Sequence, residues 1–324
     1  MSKWLWAVVL ALQAHFGASY VAPIEPRLGL FNNEHPVLSK LLVVLGSLGL
    51  VIAAYWRWAR PYRLRWGATD QEVHQPMPGD ELVSTPTYLA TRAITIEATP
   101  DAIWPWLIQM GYKRAGFYGY DILENLGSPR GIQSAQRIVA ELQHPNVGDE
   151  VPISPAASLI FAAIEPNRYL IWKGGEGWGG YTWALYPIDK NRTRLVSRAR
   201  FTYTWSKPSQ LAFDLLTEFS EHLAIPKILQ GVKGRVEGHI EPMAQANMEF
   251  AVYLGSALIY LGAVVLTLLR PLTWRRWLAG LAAGASWLIT WYVPVSTQIG
   301  ALLELLVLWG LGRAFGKRAS HKAA

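Results

Sequence analysis

Between Arg114 and Asn125 the chain sets Phe117, Tyr118 and Tyr120 among glycines and follows them with Asp121, Glu124 and Asn125. Tyrosine hydroxyls close to a carboxylate can orient the polar end of a ligand, or move a proton on a substrate that reaches them. The spacing equally fits a packed helix-loop-helix corner, with Asp121 paired to Arg114 or capping a helix. Other chemistry is sparse. The 7 histidines are dispersed and form neither HExxH nor an i,i+4 pair, so no metal site is expected. The absence of Cys excludes thiol nucleophiles, disulfides and cysteine–zinc sites. The glycine run between Gly174 and Gly180 lacks the GK[ST] of a phosphate loop. Glu218 and His222, four apart on a helix, read as a surface pair. No nucleophile–base–acid constellation emerges, and no cofactor is expected.

Trp104, Trp106, Trp172, Trp178, Trp183 and Trp205 are many indoles for one domain. Flat rings suit a ligand-lined apolar chamber, a core, or a membrane surface. Trp104 reads as core, and Trp178, in the glycine-rich turn, as a residue that touches lipid or a partner. Arg194, Arg198 and Arg200 share one face of a strand as solvated or salt-bridged groups, with Leu195, Ser197, Ala199, Phe201 and Tyr203 facing inward. Glu304 lies inside an apolar run, where an acid is costly and often functional unless a helix end or neighbour satisfies it.

The elements that position these residues fall into two kinds. The chain is 51% hydrophobic and only 16% charged, against about 25% charged in an ordinary soluble domain. Its net charge of +7 is confined to the flanks, because residues 66–243 hold more acids than bases. That fits anionic lipid headgroups and not a nucleic-acid groove. Ala251 to Leu269 is an uncharged run long enough to cross a bilayer as a helix. Trp277 to Gly312 is long enough for two spans joined near Pro294, and Leu41 to Trp56 is a shorter candidate. Trp4 to Ile24 reads either as a first helix or as a signal peptide. Arg57, Arg60, Arg63 and Arg65 place the soluble part in the cytoplasm by the positive-inside rule, while Arg270, Arg275, Arg276 and the basic tail oppose them.

Between the apolar ends the pattern is mixed. Residues 66–87, with Pro76, Pro78 and Pro86, read as an extended linker. Tyr88 to Glu97 alternates as a strand and ends at Thr99-Pro100, a helix N-cap followed by proline. That helix stops at Gly111, and a second short one runs from Tyr120 to Leu126. Strands follow over Ser158 to Ile164, Arg168 to Lys173, Tyr181 to Ile188 and Arg194 to Trp205, as an antiparallel meander. A long helix runs from Pro208 to about Gly238, kinked at Pro226.

This order, together with ATRAITIEATPDAIWPWLIQMGYKRAGFYGYDILENLG from Ala90, VGDEVPISP from Val147 and TRLVSRARF from Thr193, resembles the START-like or SRPBCC superfamily, and a bacterial subgroup within it. The resemblance covers roughly residues 88–240 and implies an α+β helix-grip fold, a sheet wrapped around a long C-terminal helix. The flanks at 1–65 and 241–324 are outside it and read as a membrane hairpin and three transmembrane helices. It further implies an apolar cavity for a lipid- or isoprenoid-like molecule. Tyr118, Tyr120, Asp121, Trp172, Trp183, Phe201 and Phe219 would then contact the ligand. Two functions follow. One is a membrane-tethered module that binds or transfers a hydrophobic molecule, with membrane lipids as partners. The other is an enzyme like the polyketide cyclases and dehydrases, with Tyr118, Tyr120 or Asp121 handling a proton. Binding is the expected one, because the cavity-forming strands hold no histidine and only one buried acid is foreseen. The inner membrane is the expected location; oligomeric state is not legible.

Overall fold

Alternating side chains in Tyr88–Ile96 make β1, and the same period recurs in β2 (Glu150–Ser154), β3 (Ala157–Glu165), β4 (Tyr169–Lys173), β5 (Gly179–Pro187) and β6 (Thr193–Phe201). A computed structural model describes residues 36–125, 131, 133–155, 157–175, 178–203, 207–271, 273–293 and 295–316. The first apolar segment, the end of the basic tail, Trp205 and Pro294 lie outside the described residues. The strands form one antiparallel sheet in the order β1-β6-β5-β4-β3-β2. Two short helices, α4 (Pro100–Ile108) and α5 (Asp121–Glu124), precede β2, and the 29-residue helix α6 (Pro208–Val236) follows β6. The domain is thus an α+β helix grip. Thr99 stands at the N-cap of α4, but its side chain makes no capping bond.

The sheet register fixes two faces. Tyr88↔Phe201 and Trp183↔Ser197 oppose one another, so Tyr88, Ala90, Arg92, Trp183, Leu195 and Phe201 share the inner face. Ile225, Ile228, Leu229 and Val232 of α6 are buried with Trp172, Trp183, Leu195, Leu107 and Phe161 in one core. Each such side chain contributes about 1.5–3 kcal/mol by leaving water. The helix continues unbroken through Pro226. Pro226 cannot donate to the carbonyl of His222, four residues back. That carbonyl lies 3.5 Å from Arg63 Nη1 instead.

The outer face corrects the reading of 66–87 as an extended linker. This stretch follows the short helix α2 (Arg60–Leu64) and holds helix α3 (Asp70–His74), opened by a Thr69/Glu72 capping box, and a 3₁₀ turn over Asp80–Leu82. The even-spaced arginines hold it down. Arg194 pairs with Glu72, Arg198 with Asp80 and three backbone carbonyls, and Arg200 with Asp80 and Val83 O. Met77, Ala93, Ala184 and Val196 form a small core beneath it. Arg198 is therefore salt-bridged as expected and buried rather than solvated.

The described chain divides into two compact units, Trp56–Ala251 and the residues on either side. The second contains helix α1 (Pro36–Ala54), most of α7 (Met243–Leu269), α8 (Trp274–Tyr292) and α9 (Thr297–Phe315). Three stretches are long and apolar enough to cross a membrane: Lys40–Leu64, Met243–Leu269 and Thr297–Phe315. Helix α8, with four tryptophans, Arg275, Arg276, Ser286 and Thr290, is not among them. Within this unit Glu304 lies over Gly255, where the missing Cβ leaves room for its carboxylate. Its Oε1 is buried with no hydrogen-bond partner among the described residues.

Candidate functional site: a polar cleft and a buried ionic network

The segment between α4 and α5 is held against α6 by specific contacts. Tyr118 has φ +66°, the left-handed region that bulky residues avoid. A Cβ at Gly231 of α6 would collide with the Tyr118 carbonyl, so a helix-interior glycine permits this approach. The Tyr118 N–H donates to Ser134 Oγ at 3.0 Å. Its hydroxyl donates to Trp106 O at 3.0 Å and accepts from Gln109 Nε2 at 2.8 Å. The Arg235 guanidinium lies 4.3 Å over its ring and donates to Ala135 O. Asp121 accepts from both the N–H and the hydroxyl of Ser134, at 3.0 and 2.5 Å. It neither pairs with Arg114 nor caps a helix; Arg114 instead donates to the carbonyls of Ile108, Met110 and Leu142.

These ties leave a cleft of about 380 Å³ lined by Tyr118, Asp121, Gln133, Gly231, Arg235 and the first turns of α7, including Asn247. The Oδ1 of Asn247 is buried and accepts no hydrogen bond among the described residues. Tyr120 stands beside the cleft, its hydroxyl donating to Glu249 Oε1 at 2.7 Å and its ring against Phe250. Behind it sits Glu124, whose pKa is pushed up to about 7 by burial and by the neighbouring Asp121 carboxylate. One oxygen accepts the Phe117 N–H at 3.1 Å, and the other has no partner among the described residues. An unfolded glutamate titrates near 4.3. Stability from Glu124 is therefore complete below about pH 4.3, where both states are protonated, and is lost as pH rises from there through 7, the folded value. Glu124→Gln is expected to stabilise the protein by up to about 3 kcal/mol at pH 8 and to change little at pH 4. Denaturation of the full chain in detergent at both pH values checks this.

The other expected ligand residues lie elsewhere. Trp172 and Trp183 are 2% and 1% exposed on the inner face of the sheet, their ring centres 5.4 Å apart. Trp172 also meets Phe117 and Phe161 edge-on, and Phe201 packs on Tyr88 and Trp178. Both indole N–H groups are buried without an acceptor among the described residues. Phe219 is half-buried on α6, its ring edge-on to His222. The seven residues therefore form two groups and a single outlier: Tyr118, Tyr120 and Asp121 at the cleft, Trp172, Trp183 and Phe201 in the core, and Phe219 on the helix.

The main correction concerns buried ionisable groups. Glu218 and His222 are no surface pair, at 1% and 0% exposed, and Asp214 and Glu221 are buried beside them. Their turn of α6 faces the sheet because counter-charges wait there. Arg92 of β1 donates to Glu221 Oε2 and to the carbonyl of Arg63. The Tyr88 and Tyr181 hydroxyls also donate to Glu221, and Arg60 forks onto Glu218 at 2.7 and 3.1 Å. Desolvation raises the pKa of Glu221 and pushes His222 down to about 4. In the unfolded chain a histidine titrates near 6.5. His222 thus contributes stability that is complete above pH 6.5 and is lost as pH falls toward 4, by about 3 kcal/mol. His222→Gln is expected to flatten that part of the stability profile. An unchanged profile in the variant would remove His222 as its source.

Fold and site together define a helix-grip domain joined to apolar helices. No family model matches the chain, and no curated protein matches it. Among solved structures, a polyketide-cyclase-like protein from Corynebacterium glutamicum is 17% identical, covering 51% of this chain and 93% of its own, with a TM-score of 0.23. A START-superfamily protein from Mycobacterium smegmatis is 14% identical, covering 46% and 97%, with a TM-score of 0.27. The self-sacrificing resistance protein CalC from Micromonospora echinospora is 10% identical, covering 46% and 94%, with a TM-score of 0.26.

Proposed function

We propose that the domain is a membrane-tethered carrier that takes a lipid- or isoprenoid-like molecule by its polar end. The carrying observation is the makeup of the cleft. One wall is the loop of Tyr118 and Asp121, and the other is the first turns of α7, a helix long and apolar enough to enter a membrane. Amides and Arg235 offer donors and acceptors to a head group, while exposed Ile240, Met243 and Met248 give an apolar tail a path along the helix. An apolar ligand would then reach the cleft without crossing water. Solvent extracts of the purified full-length protein are expected to contain one amphipathic lipid enriched over an unrelated membrane protein from the same cells. Extracts that match the bulk lipid would count against a carrier.

A second reading is enzymatic, and Glu124 favours it. Glu124 does not line the cleft itself but lies directly behind Gly119 of its wall, and a carboxyl poised near neutral pH there suits general acid–base work. Tyr118, Tyr120 and Asp121 are each committed to structural hydrogen bonds. If the domain turns over a substrate, Glu124→Gln is expected to abolish turnover with the fold intact. Activity in that variant would return the role to the binding reading.

A further inference from the structure

From Pro208 to Pro226 the charged groups of α6 are Asp214, Glu218 and Glu221, joined by His222, and all four point into the protein. The outward face of the same turns carries no Lys, Arg, Asp or Glu, and the next charged residue of the helix, Lys227, is itself buried. That face presents Phe213 and Leu216, 54% and 66% exposed, with Ala212 between Leu211 and Phe213 also exposed. This is the reverse of a water-facing helix, which turns its charged side outward. The reversed half is also fixed in place. Arg60 holds Glu218 by a two-point ion pair, and Arg60 belongs to the stretch Lys40–Leu64, which is apolar and long enough to span a membrane. Beside Arg60 on that stretch, Trp56, Trp58 and Tyr62 are exposed, the residue types that gather at bilayer interfaces.

We infer that the first half of the grip helix lies in the lipid interface, with Phe213 and Leu216 inserted among acyl chains. The occupant of this face is the bilayer itself. The proposal does not depend on what the cleft binds. It explains why the acids turn inward: outward they would meet hydrocarbon, where an ionised carboxylate is costly, and inward they meet Arg60 and Arg92. The domain would thereby be held at a fixed depth by its own helix as well as by its tether.

The chain has no cysteine, so single cysteines can report position without background. Spin labels at Phe213→Cys, Leu216→Cys and Ala212→Cys in the full chain, reconstituted in phosphatidylcholine nanodiscs, are compared with two references. Leu258→Cys lies exposed on the apolar α7, and Lys190→Cys lies in an exposed turn. The expected result is oxygen accessibility above nickel-chelate accessibility at 212, 213 and 216, as at 258, with the reverse at 190. Nickel above oxygen at two or more of the three helix positions would overturn the proposal. So would labels immobile and shielded from both reagents, which would mean that protein, from residues 1–35 or a second copy, covers the face. Three positions guard against a variant that fails to fold, since each is exposed.

Discussion

Replacing Arg92 with methionine is expected to destabilise the domain by about 3–5 kcal/mol. Arg92 is 1% exposed and touches Glu221, the Tyr88 hydroxyl, His222 and the Arg63 carbonyl. Methionine matches its volume poorly at the guanidinium end and leaves the Glu221 carboxylate buried without its counter-charge. Glu221 is already held above the usual carboxylate range by burial, so the variant would have to take up a proton or open. The double variant Arg92→Met with Glu221→Leu is expected to regain much of the loss, because a buried ion pair replaced as a unit is nearly neutral. Thermal and denaturant unfolding of the full chain in detergent, followed by tryptophan fluorescence, measures both. A loss below about 1 kcal/mol for Arg92→Met would place the pair among weakly coupled surface bridges.

Trp183→Ala is expected to cost about 3–5 kcal/mol, the range for a large aromatic removed from a core. The indole packs on Trp172 and Tyr181 and opposes Ser197 across β6. Its loss leaves a void that the flanking strands cannot close. The folded fraction is nevertheless expected to keep its ligand, since Trp183 is not among the residues of the cleft. Loss of ligand with little loss of stability would mean that the inner face of the sheet, and not the cleft, holds the molecule. The two indole N–H groups, which have no acceptor among the described residues, would then be its contacts.

The two kinds of residue also explain how much the sequence discloses. Strands β3 to β6 and the span of α6 are legible because alternation and helical spacing follow directly from burial on one face. Tyr118 and Asp121 stand out in the sequence by their clustering, and both line the cleft. Gly231 carries a readable signal, a glycine inside a helical pattern, yet the pattern does not say which backbone approaches it. For Glu124 the main cause of the raised pKa, burial, is not readable from the sequence; only the second, the like charge of Asp121 three residues earlier, is. The buried network was illegible for a general reason. Patterning assigns acids to water, and only the fold reveals that Arg92, some 130 residues away, meets Glu221. The lead-in at 66–87 reads as a linker because its hold comes from arginines more than a hundred residues downstream. The same holds for the juxtamembrane arginines read as a topology signal. Arg60 and Arg65 pair with Glu218 and Asp70, and Arg63 is buried, so part of that basic cluster serves the fold.

The most direct test of a lipid-carrying cleft is native mass spectrometry of the full chain released from detergent, wild type against Gln245→Trp. Gln245 is an exposed wall residue, so an indole there fills the cleft without disturbing the core. The wild type is expected to show a bound species of lipid mass, reduced at least about tenfold in the variant, which corresponds to 1.4 kcal/mol or more of lost binding, with unfolding temperature unchanged. Equal occupancy in the two proteins, or none in the wild type, would contradict binding at this cleft.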